Sequence, residues 1–97
     1  MSYAVILVPD HPQRETFPQQ LAFFKANILP TATSLPGYVR GSWSYESSAS
    51  RTHSYVLFDS EPHARQLLDN VKRDAQVPNP FGVTLVSATL AEEVVSK

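Results

Sequence analysis

His53 and Tyr55 stand two residues apart in the run Arg51-Thr-His-Ser-Tyr-Val-Leu-Phe58. In an extended strand that spacing puts both side chains on one face. Imidazole titrates near neutral pH, and either group can take a proton from an acidic carbon or phenol. The preceding run, Tyr38 to Tyr45, carries Tyr38, Arg40 and Ser42 at the same interval. If the two runs pair across an even-numbered loop centred on Ser48-Ala49, these three join His53 and Tyr55 on one surface. Trp43 then faces Ser54, and Val39 faces Phe58. An odd loop would exchange the faces. Such a patch suits an anionic or phenolic ligand: His53 or Tyr55 assists deprotonation and Arg40 stabilises the anion. The competing interpretation is an ordinary half-exposed strand pair whose polar groups are met by water.

Trp43 is the single tryptophan. It reads either as an apolar wall for a flat substrate or as a large core or interface residue. Phe17 and Phe24 read as core. Phe23 lies beside them, placed to narrow a cavity between the first helix and the sheet. His11 and His63 have no partner at metal-ligand spacing, so no metal site is expected. Ser, His and Asp are all present, but no G-x-S-x-G elbow accompanies them. The glycines at 37, 41 and 82 form no phosphate-binding loop.

The elements that must position these residues can be read from pattern. Ser2 to Val8 is a continuous apolar run, a strand buried on both faces. Pro9 to Arg14 reads as a loop. A helix opens at Thr16, with capping-box spacing to Gln19 and a stripe of Phe17, Leu21, Phe24 and Ile28. Pro30 should end or kink it, leaving Thr31 to Ser34 as an irregular turn. Leu35-Pro36-Gly37 turns the chain into a second strand, Tyr38 to Tyr45. Ser47 to Ser50 is a hairpin loop, and Arg51 to Phe58 a third strand. Asp59-Ser60-Glu61-Pro62 starts a second helix, with Ala64, Leu67, Leu68, Val71 and Ala75 on its apolar side. Val77 to Gly82 breaks it. Val83 to Leu90 reads as a fourth strand, followed by a tail with room for a short strand over Glu93 to Ser96.

The order β-α-β-β-α-β is the ferredoxin-like pattern, an α+β domain spanning residues 1–97. Four antiparallel strands carry both helices on one face. The first strand is apolar on both sides, and so is the fourth, so the uncovered face exposes an apolar row. Such a row marks an interface, and a two-fold homodimer through the open sheet face is the simplest way to cover it.

The stretch Leu35-Pro-Gly-Tyr-Val-Arg-Gly-Ser-Trp-Ser-Tyr45, the hairpin, and Tyr55-Val-Leu-Phe-Asp-Ser-Glu-Pro-His-Ala-Arg65 resemble the dimeric α/β-barrel superfamily. They are similar in particular to its antibiotic-biosynthesis-monooxygenase-like branch. The motifs are structural, and the resemblance follows element order over nearly the whole chain. It implies pairing into a dimeric α/β barrel and a cofactor-free monooxygenase-like reaction on a small phenolic or conjugated molecule, held between sheet and helices. For such a reaction this sequence offers its own strand cluster rather than a shared motif: His53, Tyr55 and Arg40 would be catalytic, with Trp43, Tyr38 and Phe23 lining the substrate. The heme-degrading members use an Asn on the first strand, and Tyr3 to Val8 has none. The alternative is a non-catalytic small-molecule-binding or structural dimer of the same fold.

Composition bounds the rest. With 97 residues there is length for one domain, and with no cysteine there is no disulfide, thiolate site or thiol nucleophile. Eight Lys and Arg against nine Asp and Glu leave a net charge of -1, which gives nucleic acid no basic surface. The longest apolar run falls far short of the roughly 18 residues of a membrane span. It lacks the basic flank of a signal peptide, so a cytoplasmic protein is expected.

Overall fold

The computed structural model describes Met1 to Lys97. Four strands form one antiparallel sheet: β1 (Tyr3–Asp10), β2 (Tyr38–Glu46), β3 (Arg51–Phe58) and β4 (Thr84–Glu92), in the order β2-β3-β1-β4. Between β1 and β2 run α1 (Phe17–Phe23), a π-turn (Phe24–Ile28) and α2 (Leu29–Thr33). Between β3 and β4 lies α3 (Glu61–Asp74). This is the expected β-α-β-β-α-β fold with both helical connections on one face. No helix is long and apolar enough to cross a membrane.

The helix-covered face holds the core. Val5, Val56 and Phe58 from the sheet pack against Ala64, Leu67 and Leu68 of α3. Leu67 and Leu68 follow Ala64 by three and four residues, the spacing that keeps one helical face inward. Ser60 caps α3 by accepting the His63 N–H at 3.5 Å, and Pro62 sits where no intrahelical donor is needed.

Several boundaries differ from the sequence reading. β1 continues through Pro9 to Asp10, although a loop was expected from Pro9. Pro9 lies at a register shift between β1 and β4, where the extra residue Val86 interrupts the ladder. A central strand accommodates proline at such a break. Pro30 does not end the first helix. The π-turn widens the backbone ahead of it, and Pro30 becomes a first-turn residue of α2. β4 starts one residue and ends two residues later than the pattern predicts, and no strand forms over Glu93 to Ser96.

The four-residue loop Ser47 to Ser50 gives the expected pairing of Trp43 with Ser54. Tyr38, not Val39, lies opposite Phe58, because Val39 is the extra residue of a bulge. One inserted residue reverses the faces on its far side. Tyr38 therefore points to the helix-covered side and meets the Phe58 ring edge-on at 6.2 Å.

Candidate functional site

Register divides the expected site residues between two faces. Arg40, Ser42, His53 and Tyr55 lie on the helix-free face, as Arg40 pairs with Leu57, Ser42 with Tyr55 and Ser44 with His53. Trp43 and Tyr38 lie on the other side and pack against the core cluster. The Trp43 indole covers Gly41, leaving no space for a side chain there, and meets Phe24 edge-on at 5.6 Å. Phe23 is 52% exposed and narrows no cavity between helix and sheet. The six residues thus do not share one chamber.

On the open face, Arg40 and Tyr55 converge on Glu93. The Tyr55 hydroxyl donates to Glu93 Oε2 at 2.7 Å, and Arg40 Nη2 reaches the same oxygen at 3.4 Å. The hydrogen bond to Glu93, with burial, raises the Tyr55 pKa above the ordinary phenol value. Tyr55 is held protonated as a donor, so it presents no phenolate to act as a base near neutral pH. His53 stands apart from this group. Its Nε2 lies 2.7 Å from Glu46 Oε1 at the rim, and that bond holds the Glu46 carboxyl below its ordinary pKa. Around these polar groups run Ala4, Ile6, Val8, Leu57 and Ala91, which alternate with the core-facing residues of their strands.

A second constellation lies at the end of the sheet near the hairpin. His11 falls in the stretch that reads as a loop, yet it is buried. The Gln20 amide nitrogen donates to Gln13 O at 3.2 Å and to Thr16 Oγ1 at 2.8 Å, so its oxygen faces His11 Nδ1 at 2.9 Å. Nδ1 therefore carries a proton, and in the neutral ring Nε2 accepts from Thr52 Oγ1 at 2.7 Å. Phe17 stacks on Tyr45 with centroids 3.7 Å apart, and the imidazole meets both rings edge-on. The Ser50 hydroxyl donates to the His11 carbonyl. Every buried side-chain polar atom has a partner, so this network is a fully satisfied anchor. Its partners lie nine and 41 residues away in sequence. The available signal was Thr16 and Gln20, a polar pair one helical turn apart beside Phe17.

A third feature is a cleft of about 300 Å³ between α2 and α3. Ile28, Ala32, Leu35, Leu67 and Val71 supply its apolar lining, and Asn27, Thr31, Asn70, Arg73 and Asp74 its polar groups. The π-turn borders it through Asn27 and Ile28. No group of three His, Asp or Glu side chains converges as a metal ion would require.

No family model matches the chain, and no curated protein matches it. Solved structures do. A dimeric ferredoxin-like protein from an uncultured marine organism aligns with TM-score 0.72 and 14% identity, over 100% of this chain and 98% of that one. A second dimeric ferredoxin-like protein from an uncultured marine organism gives 0.68 and 7%, over 99% and 98%. The ActVA-Orf6 monooxygenase of Streptomyces coelicolor, solved with nanaomycin D, gives 0.63 and 10%, over 99% and 90%. At these identities the likeness shows the fold: the chain is a ferredoxin-like α+β domain.

Proposed function

We propose that this chain forms a homodimer through its open sheet face and binds a small conjugated or phenolic molecule in the cleft between α2 and α3. The dimer reading is supported by Ile6, Val8 and Ala91, half-buried apolar side chains on the helix-free face beside the already buried Ala4 and Leu57. It is also supported by the likeness to two proteins described as dimeric. The cleft of about 300 Å³ has the size and the mixed lining of a small ligand site. One observation carries the choice of binding over catalysis. The expected acid–base residues, His53 and Tyr55, lie on the face away from Trp43 and the interhelical cleft.

Sedimentation velocity at micromolar concentration tests the assembly: a dimer is expected, and a folded monomer of 10.8 kDa overturns it. Titration with 2-naphthoate, followed by NMR, tests the cleft. The Asn27 and Asn70 side-chain amides are expected to shift, and Val71→Trp, which fills the cleft, should remove the response. Unmoved amides at millimolar probe would reject this site.

The second reading is a cofactor-free monooxygenase-like enzyme in which His53, Tyr55 and Arg40 act at the seam between copies. Likeness to the Streptomyces monooxygenase favours it. Oxygen uptake with a phenolic substrate, lost in the double variant His53→Ala and Tyr55→Phe, would select this reading over binding alone.

A further inference from the structure

We infer that Arg40 and Glu93 exchange partners on assembly, so that Arg40 of each copy pairs with Glu93 of the other and sets the register of the two sheets. The inference rests on the homodimer proposed above. Within one copy the pair is poorly made. Arg40 offers Nη2 alone, at 3.4 Å, and its side chain is 58% exposed. Glu93 receives both its hydrogen bonds on Oε2, and Oε1 receives none. An arginine and a carboxylate free to choose their geometry pair through two parallel bonds.

The reason lies in the register. Arg40 stands opposite Leu57, Leu57 opposite Ala4, and Ala4 opposite Ala91, two residues before Glu93. The partners therefore start three strand intervals apart, about 14 Å. They meet only by stretching over Leu57 and Ala4, which are 3% and 2% exposed despite facing away from the helices.

Facing sheets lie about 10 Å apart. With the two-fold axis parallel to the strands, the order β2-β3-β1-β4 is reversed in the opposing sheet. β2 of one copy then lies against β4 of the other, and Arg40 comes opposite Ala91 of the second copy. Glu93 of that copy is about 7 Å along the strand, so the exchanged partners start about 12 Å apart, less than the span within one copy. Covering the apolar row also removes the unused Arg40 donors and Glu93 Oε1 from water. Left unpaired, they would oppose association. An isologous contact repeats the exchanged pair twice. An axis across the strands would instead bring Arg40 opposite Glu46 of the second copy, at the other end of β2.

Charge reversal distinguishes these arrangements. Arg40→Glu and Glu93→Arg should each weaken self-association about a hundredfold, because like charges meet twice. An equimolar mixture of the two variants should form a one-to-one heterodimer of near wild-type affinity, read by native mass spectrometry. If the pair stays within each copy, mixing restores nothing, and the inference fails. Rescue of Arg40→Glu by Glu46→Arg, but not by Glu93→Arg, also overturns it. A monomeric wild type removes the dimer itself, a failure visible before any variant is mixed. Should a charge-reversal variant not fold, Arg40→Cys and Glu93→Cys serve instead, since the chain has no other cysteine. A short bis-maleimide should join these two variants to each other and neither to itself. Absence of the mixed product would overturn the exchange.

Discussion

The two helical connections have equivalent places in the topology but are held by different forces. α3 buries Ala64, Leu67 and Leu68 against β1 and β3. The α1–α2 connection buries Gln20 alone, and leaves Leu21, Phe23 and Ile28 at 39%, 52% and 47% exposure. One helix is attached by an apolar stripe, and the other by the polar network through His11 together with the Phe17–Tyr45 and Phe24–Trp43 ring contacts. Hydrophobic contact is non-directional and tolerates sliding, whereas the His11 network fixes its helix through directional bonds. The second arrangement concentrates the attachment in a few side chains.

Leu68→Ala should have the largest effect, about 2–5 kcal/mol of stability lost by urea denaturation. A loss below about 1 kcal/mol would mean that α3 is not the principal anchor. His11→Ala comes next, at about 1–3 kcal/mol, because it strands Gln20 and Thr52. Hydrogen exchange should then quicken over Phe17 to Thr33 while β1 and β3 amides stay protected. Uniform acceleration would erase the distinction between the two connections. Leu21→Ala should cost less than about 1 kcal/mol, since the side chain already meets solvent. A penalty equal to that of Leu68→Ala would show that Leu21 is covered in solution.

The smallest effect concerns the start of α3. The Asp59 carboxyl accepts from His63 Nδ1 at 2.7 Å, which holds its pKa below the ordinary carboxylate value. A depressed folded pKa contributes stability above the ordinary value, and this is lost as the pH falls through it towards the folded one. Melting temperature should therefore fall between pH 5 and 3 by slightly more in wild type than in Asp59→Asn. Identical acid limbs would remove the pair from the stability of this end.

The difference between the connections also explains what the sequence disclosed. Ala64, Leu67 and Leu68 repeat with helical period, so the better-packed helix was legible from spacing alone. Arg51 to Phe58 was legible as a strand because aromatic and β-branched residues fill it between turn signals. The face of Tyr38 was not legible, since nothing local marks Val39 as the bulged residue. His11 was hidden by long-range closure: a histidine among prolines has a loop's local signature, and distant Thr52 makes it an anchor. The open-face cluster was half visible. Arg40 and Tyr55 follow from strand alternation, but Glu93 was read as tail, and it joins them only through the order of the sheet.

The bulges have one more consequence. β2 and β4 are the sheet's outer strands, and each carries a bulged valine, Val39 and Val86, both 51% exposed. A straight outer strand offers an unbroken row of amide and carbonyl groups to any extended chain that drifts past, and successive additions lead to fibres. A bulge breaks that row and twists it away from a flat template. Straightening both borders by deleting Val39 and Val86 would turn a sheet with two interrupted margins into one prone to open-ended growth.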